Sequence, residues 1–153
     1  MFNLVLVEPE IPPNTGNVAR TCVLTGTKLH LVEPLGFSIS DREVKRSGLD
    51  YWSFLNLSVH SSFDQLLEQS NKSRLICFST KASCLYHQID YYQDDYLIFG
   101  SETRGLPEEI LLRADMVARI PMIESIKRSL NLGNSVALVL YEALRQQDFP
   151  GMS

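Results

Sequence analysis

The sequence predicts an α/β fold with a mostly parallel sheet and helices on both of its faces. Short apolar segments alternate with helix-like segments, each apolar segment is nearly free of polar residues, and no internal repeat or linker interrupts the series. Strands that are apolar on both sides are typical of a parallel sheet covered by helices on each face. The length of 153 residues, without a linker, predicts a single domain over residues 1–153.

Five apolar segments have the length and composition of buried strands. Prolines end the first of them and cannot donate to a sheet ladder, and proline, glycine or polar residues follow the others. In chain order, the predicted strands are Phe2–Val7, Lys28–Val32, Arg74–Phe78, Asp95–Gly100 and Met116–Ile120.

Helices are predicted between these strands from capping residues and from apolar spacing. The first begins at Asn14 or Thr15, either of which can cap a helix, and ends near Leu24, just before Gly26. Pro107 stands at a position that favours a helix start. The other predicted helical segments are Asp41–Gly48, Ser62–Gln69, the segment opened by Pro107, and Asn134–Gln146.

The last helix carries more apolar residues than one buried stripe requires. A surface helix of a monomer needs an apolar stripe only a little wider than about 100°. The surplus predicts contact with a second subunit, because two-fold homodimers are the commonest oligomers. The predicted homodimer forms through the N-terminal helix and four residues of the last helix: Val136, Leu140, Tyr141 and Leu144. A central position of this helix within one small domain is the alternative.

Composition excludes several classes of protein. No apolar stretch approaches the roughly 20 residues that cross a bilayer. The N-terminal segment lacks the basic start and the cleavage site of a signal peptide, so we expect a cytoplasmic protein without membrane contact. The three cysteines form no C-x-x-C pair and the three histidines lack the spacing of a metal site, so no metal is expected.

The charge distribution favours local rather than general attraction to nucleic acid. The net charge of −4 argues against a non-specific coat on nucleic acid. Basic residues nevertheless gather at Arg42, Lys45 and Arg46, and again at Lys127 and Arg128. Each cluster is either a solvated face or a patch for phosphate groups, and charge counting leaves both interpretations open.

Three segments rich in glycine, asparagine and small polar residues follow predicted strands: Pro13–Arg20, Phe99–Pro107 and Arg128–Ser135. Turns and caps explain any one of them. In open α/β sheets, however, ligands bind beyond the carboxyl ends of the strands, so three such loops in one small domain indicate a binding site. The sequence contains no G-x-G-x-x-G after the first strand, no complete P-loop and no G-x-S-x-G elbow.

The same three segments resemble the three sequence motifs of the SPOUT superfamily of RNA methyltransferases. They contain N-T-G-N-x-x-R from residue 14, F-G-S-E-T-R-G-L-P from residue 99 and R-S-L-N-L-G-N-S-V-A from residue 128. The resemblance extends from Phe2 to about Gln147. With E-P-E-I-P-P-N-T-G-N from residue 8 and R-S-G-L-D-Y at 46–51, the chain is most similar to the tRNA wobble-nucleotide 2′-O-methyltransferases of that superfamily. The resemblance implies a homodimer in which each chain forms a deep trefoil knot near its C-terminus. Such a knot is an exception to the rule that connections between strands and helices do not thread through loops.

The resemblance also implies an activity and its partners. S-adenosylmethionine would give its methyl group to the 2′-hydroxyl of nucleotide 34, cytidine or modified uridine, in tRNA, with leucine isoacceptors as expected substrates and S-adenosylhomocysteine as product. The sulfur leaves as a neutral thioether, so no metal is needed to absorb negative charge. The RNA partner would be the tRNA anticodon stem-loop, whose phosphates Arg42, Lys45 and Arg46 would contact.

The residues implied for the cofactor lie in the loops that follow three of the predicted strands. They are Phe78, Ser79, Thr80, Gly100, Glu102, Gly105, Ile120, Met122, Ser129 and Leu130. Ile120 and Leu130 would sandwich the adenine, and Gly100 would let the backbone approach the ligand closely.

The implied catalytic residues are Arg20, Asn14, Glu102, Ser129 and Asn131. A guanidinium hardly ever loses its proton in a protein, so Arg20 suits phosphate binding and alignment of the ribose better than the role of general base. Asn14 would help to hold Arg20. Glu102 either orients the ligands or caps a backbone amide. Asn134 is expected to cap the last helix.

Two other functions compete with this one. A non-catalytic RNA-binding module could use the same fold, but the intact motifs argue against it. A 2′-O-methyltransferase for another tRNA site or for ribosomal RNA is the second alternative, and the lack of an added RNA-binding domain weighs against the ribosomal substrate.

Overall fold

Seven parallel strands form one sheet in the computed structural model, which describes residues 1–40 and 51–153. In chain order they are β1 Asn3–Val7, β2 Lys28–Val32, β3 Leu57–His60, β4 Leu75–Phe78, β5 Cys84–Leu85, β6 Tyr96–Phe99 and β7 Met116–Arg119. Their order across the sheet is β3-β2-β1-β6-β4-β7-β5, and all six pairings are parallel. The predicted α/β class with a parallel sheet is confirmed. The knot stays a prediction.

Four α-helices connect the strands in the described part of the chain. They are α1 Pro12–Thr25, α2 Phe63–Gln69, α3 Glu108–Leu111 and α4 Leu132–Gln146. Short 3₁₀ turns lie at Trp52–Phe54 and Tyr86–Gln88. The helical segment expected at Asp41–Gly48 lies outside the described residues, and so do Arg42, Lys45 and Arg46 of the expected RNA-binding patch.

The alternation of side chains along the strands divides the core into two layers. Leu4 and Leu6 of β1 belong to a layer that is covered by α1 and α4. Val5 and Val7 belong to the other layer, which is covered by α2 and α3. Helices therefore pack on both faces of the sheet, as the sequence predicts.

Helix α1 begins two residues earlier than predicted. Pro12 and Pro13 occupy its first two positions, where a missing N–H removes no hydrogen bond. Ile11 is the N-cap and makes no side-chain cap, so neither Asn14 nor Thr15 has that role. At the other end, Gly26 adopts the left-handed conformation with φ 66° and caps the helix, as predicted.

Helix α4 also begins two residues earlier than predicted, and the expected cap Asn134 is wrong. The cap is Asn131, whose side-chain Oδ1 accepts hydrogen bonds from the backbone N–H of Gly133 at 2.8 Å and of Asn134 at 3.3 Å. Asparagine is a favoured N-cap because its short side chain reaches these unpaired N–H groups.

Strands β3 and β5 were not predicted. Three of the four residues in β3 are only partly buried or exposed, because this strand forms one edge of the sheet. β5 has two residues and forms the other edge. Neither has the continuous apolar run by which a buried strand is identified.

The expected contribution of Val136, Leu140 and Leu144 to a dimer interface is wrong. Val136 and Leu140 are 0% exposed, and Leu144 is 3% exposed, within the core of a single chain. The sheet and α1 cover this face of α4, so the burial of these three residues is explained within a single chain. Tyr141 is 42% exposed and lies on the outward side of the helix.

Two buried histidines join β1, β2 and β3. His30 Nδ1 lies 2.9 Å from His60 Nε2, and His30 Nε2 lies 3.1 Å from Asn3 Oδ1. Asn3 Nδ2 donates to the carbonyl oxygen of Asp94 at 3.3 Å, which orients the amide so that Oδ1 accepts from His30. His30 thus carries its proton on Nε2, and His60 donates from Nε2 to His30. This arrangement requires the His30 ring to be neutral, because its Nδ1 accepts the hydrogen bond from His60.

Candidate active site

A cavity of about 700 Å³ lies beyond the carboxyl ends of β4, β6 and β7. The loops that carry the second and third motifs form most of its wall, and the first motif contributes Asn14 from the start of α1. All ten residues expected at the cofactor line it: Phe78, Ser79, Thr80, Gly100, Glu102, Gly105, Ile120, Met122, Ser129 and Leu130. Asn14 and Asn131 line it as well. This is the edge of the sheet at which open α/β folds bind ligands.

Two aromatic rings form one apolar side of this cavity. Phe78 and Phe99 stack with their ring centroids 4.7 Å apart and their planes 15° from parallel. They end the neighbouring strands β4 and β6, so the sheet fixes the spacing of the two rings. The half-buried side chains of Ile120 and Leu130 add further apolar surface.

The loop after β6 folds back on itself, and two glycines make this possible. The N–H of Gly105 donates to the carbonyl oxygen of Ser101 at 3.0 Å, and Gly105 has φ 66°. A Cβ on Gly100 would overlap the backbone of Gly105 and Leu106. Glycine at position 100 is therefore required by the loop's own backbone, and the expected close approach of a ligand stays a prediction.

Glu102 holds the start of α1 against this loop. One carboxylate oxygen accepts from the backbone N–H of Glu10 at 2.8 Å. The other accepts from the backbone N–H of Ile11 at 3.0 Å and from the side-chain Nδ2 of Asn14 at 3.3 Å. The capping of backbone amides, one of the two expected roles of Glu102, is therefore observed.

Asn14 connects the first motif to the third as well as to the second. Its Oδ1 accepts from Nδ2 of Asn131 at 3.0 Å, while its Nδ2 donates to Glu102. Asn14 is only 8% exposed, so its own side of both hydrogen bonds is shielded from water, while Asn131 is exposed. We refer to Glu102, Asn14 and Asn131 as the motif triad, because each residue comes from a different motif.

A second set of contacts connects the first two motif loops near the surface. The carboxylate of Glu10 accepts from the hydroxyl of Thr103, with a shortest distance of 2.7 Å, and from Arg104 Nε at 3.3 Å. The hydrogen bond from Thr103 lowers the pKa of Glu10 below its usual value, and Arg104 acts in the same direction. This carboxylate is therefore held in its charged form.

Arg20 does not line the cavity, and Asn14 does not hold it as expected. The guanidinium lies over the ring of Tyr51, 4.9 Å from its centroid, and donates to the Tyr51 hydroxyl at 3.4 Å. Its side chain is exposed on the outer side of α1. Sequence reasoning missed Tyr51 as the partner, although Tyr51 is the last residue of the R-S-G-L-D-Y segment.

Within residues 1–40 and 51–153, no three His, Cys, Asp or Glu side chains are grouped so that they could hold a metal ion. In the same ranges, none of the helices combines the length and the apolar character needed to cross a bilayer.

Comparison with known proteins supplies relatives over the whole chain. The sequence profile of the SpoU rRNA methylase family matches residues 1–141. The tRNA (cytidine(34)-2′-O)-methyltransferase of Saccharophagus degradans is 48% identical over 153 residues, which is 99% of each chain. The enzyme with the same description from Escherichia coli K12 is also 48% identical, over 99% of this chain and 97% of its own.

Solved structures share the fold. A structure described as giving insight into 2-OH methylation of C/U34 on tRNA superposes with a TM-score of 0.92 and 46% identity, covering 97% of both chains. The SpoU methyltransferase AviRb of Streptomyces viridochromogenes, in complex with the cofactor AdoMet, superposes with a TM-score of 0.88 over 95% of this chain and 60% of its own. At 23% identity, the second likeness concerns the fold alone.

Proposed function

Because the chain belongs to the SpoU rRNA methylase family, we propose that it transfers a methyl group from S-adenosylmethionine to the ribose 2′-hydroxyl of nucleotide 34 in tRNA. The observation that carries the proposal is that residues of all three sequence motifs line one cavity. The relatives that are 48% identical over their full length act on cytidine 34, which specifies the nucleotide.

The cavity suits the cofactor in size and in chemistry. Its volume of about 700 Å³ lies within the range of roughly 300–1,000 Å³ that small-molecule sites occupy. The stacked rings of Phe78 and Phe99, with Ile120 and Leu130, offer apolar surface for a planar base. Backbone groups of the loop at 100–105 and the hydroxyl of Ser129 offer polar partners for the ribose and the amino-acid end.

The reaction needs positioning more than it needs acid or base strength. When bound, S-adenosylmethionine supplies a methyl group on a positively charged sulfur. The ribose 2′-oxygen would form a bond to the methyl carbon, sulfur would keep the electrons of the broken carbon–sulfur bond, and the hydroxyl proton would pass to water. The chain must therefore hold the oxygen in line with the carbon–sulfur bond at about 3–3.5 Å from the carbon.

The motif triad serves this positioning. Both oxygens of Glu102 accept hydrogen bonds from α1 and the residues before it, so the carboxylate fixes the second motif against the start of α1. Asn131 is likewise engaged by Asn14 and by the first turn of α4. These three side chains act as positioning residues that keep the cofactor loops in one arrangement.

Arg20 has a separate role outside the cavity of its own chain. Its permanently charged fork suits a phosphate of the RNA, since two parallel N–H groups can bind a phosphate at once. Contact with Tyr51 limits the rotation of the guanidinium before the RNA arrives. Fixing a phosphate next to the target ribose would align the 2′-oxygen.

The outward side of α4 supports the proposal that two copies of the chain associate. Leu138 and Tyr141 lie one helical turn apart and are 43% and 42% exposed. Large apolar side chains close together on a surface commonly mark a contact between proteins. Tyr141 thus keeps the place expected for it in the interface, and Leu138 joins it there instead of Val136, Leu140 and Leu144.

The decisive experiment uses two synthetic anticodon stem-loops that differ in one oxygen. One contains cytidine at position 34 and the other 2′-deoxycytidine at the same position. With labelled S-adenosylmethionine, the first should gain one methyl group, located on the ribose by mass spectrometry, and the second none. Equal labelling of both RNAs would place the methyl group elsewhere, and labelling of neither would contradict the proposed substrate.

A further inference from the structure

A second cavity, of about 520 Å³, adjoins the cofactor cavity. The two share one wall, made of Thr80, Arg119, Ile120, Met122 and Ser129. The loop at 123–128 provides the rest of the lining of the second cavity. None of these loop residues belongs to the set expected at the cofactor.

The second cavity is rich in positive charge. Arg119, Lys127 and Arg128 line it, against a single carboxylate, Glu124. None of the three cations forms an ion pair with another described residue. In a chain with a net charge of −4, this is a local excess of positive charge that no ion pair within residues 1–40 and 51–153 neutralises.

Exposed aliphatic side chains lie beside these cations. Ile123 is 68% exposed and Ile126 is 58% exposed, and both line the second cavity. A nucleotide combines an apolar base face with a charged phosphate, so a wall of isoleucines with arginine and lysine at its edge matches both parts. A solvated basic loop would not need two isoleucines turned toward water.

We propose that the second cavity binds the nucleotide that is methylated, with Lys127 and Arg128 contacting the phosphates on either side of it. This inference rests on the proposed function. The target ribose must lie within about 3–3.5 Å of the methyl carbon, and a cavity that shares five residues with the cofactor cavity provides that proximity. Arg119 borders both cavities at the end of β7, between the cofactor and the RNA.

The test compares two double variants with equal changes in charge. Lys127→Gln with Arg128→Gln removes two charges from the second cavity. Lys72→Asn with Arg113→Gln removes two charges near the amino ends of β4 and β7, at the end of the strands opposite to both cavities. Lys72 has φ 62°, a conformation that asparagine tolerates, so this control variant is expected to fold.

The measurements are the Kd of the cytidine-34 stem-loop over a series of salt concentrations, and the Kd of S-adenosylmethionine by calorimetry. For the Lys127–Arg128 variant, we expect the RNA Kd to rise about tenfold or more at about 0.1 M salt, and the slope of log K against log salt to fall by about two. Its affinity for S-adenosylmethionine should stay within about twofold of wild type, and the control should change neither constant by more.

Two outcomes would overturn the inference. RNA affinity and salt slope equal to those of the control would mean that the cations meet no phosphate. A loss of S-adenosylmethionine affinity as large as the loss of RNA affinity would assign the cavity to the amino-acid end of the cofactor. Because RNA binding is measured without methyl transfer, a wild-type protein that binds the stem-loop and does not methylate it would contradict the proposed function alone.

Discussion

Asn131 donates a hydrogen bond from its side chain to the side-chain oxygen of Asn14 at 3.0 Å, although 117 positions separate the two residues. The same Asn14 amide donates to Glu102, so one buried side chain connects the start of α1 to the loop after β6 and to the segment before α4. The arrangement of the cofactor loops therefore depends on an interior amide that needs no direct contact with a ligand.

We predict that Asn14→Ala weakens cofactor binding and lowers stability together. Removal of the amide takes away its hydrogen bonds to Asn131 and Glu102, and a hydrogen bond typically contributes about 0.5–1.5 kcal/mol to the free energy of unfolding. Urea unfolding and calorimetry with S-adenosylmethionine measure the two effects. Asn134→Ala is the matched control, because only the backbone N–H of Asn134 contacts Asn131. Cofactor affinity that is unchanged in Asn14→Ala would contradict the positioning role of the motif triad.

A second prediction separates catalysis from cofactor binding at Arg20. Arg20→Ala should lower kcat by about a hundredfold or more, because the phosphate that aligns the ribose loses its contact. Because this side chain lies outside the cavity, the Kd of S-adenosylmethionine should stay nearly unchanged. Tyr51→Phe keeps the ring under the guanidinium and removes only the hydroxyl, so it should have a smaller effect on kcat. Steady-state kinetics and calorimetry check both. Parallel loss of turnover and cofactor affinity in Arg20→Ala would contradict this assignment.

The position of the cavity could be predicted from the sequence because local patterns determine it. Short apolar strands followed by glycine-rich and asparagine-rich loops place those loops at one edge of a parallel sheet. The ten residues that the family resemblance implied at the cofactor line the cavity at that edge. Their individual roles do not follow from local patterns, as Gly100 illustrates, since its close neighbour is backbone five and six residues further along the chain.

The partners of single polar residues could not be predicted, because they depend on long-range geometry. Arg20 and Tyr51 are 31 positions apart, and no periodicity links them. Helix α4 shows a related limit. Apolar spacing reveals that a face is buried but not what covers it, and for Leu140 the cover is the chain's own sheet and α1 rather than a second subunit.

This difference within α4 gives a prediction about assembly. Leu140→Glu places an unpaired charge in the core and should destabilise the fold by at least about 3 kcal/mol. Tyr141→Glu alters the neighbouring but half-exposed position and should leave the fold intact while it shifts the protein toward monomers. Circular dichroism reports folding, and sedimentation velocity reports mass. A folded Tyr141→Glu variant that sediments like the wild-type protein would remove the outward side of α4 from the proposed interface.

The buried histidine pair predicts how stability depends on pH. Burial lowers the pKa of His30 to about 3, helped by the charge of Lys28 and by His60, and burial also lowers the pKa of His60. In the unfolded chain a histidine titrates near pH 6.5. Between about pH 6.5 and 3 the unfolded state therefore binds more protons than the folded state. The contribution of the pair to the free energy of unfolding is therefore fully present above about pH 6.5 and decreases as the pH falls below it. For His30 alone the loss should reach about 2 kcal/mol at pH 5.

Urea unfolding at pH 7.5 and at pH 5 tests this dependence in two variants. The double variant His30→Gln with His60→Gln removes both titrating rings, so its free energy of unfolding should fall less between the two pH values than that of the wild-type protein. His87→Gln replaces the exposed histidine of the Tyr86–Gln88 turn and should keep the wild-type difference. The comparison isolates the pair, because the carboxylates that also lose charge in acid are the same in all three proteins. If the double variant loses as much stability as the wild-type protein, the acid sensitivity lies in those carboxylates and not in the neutral histidines between β1, β2 and β3.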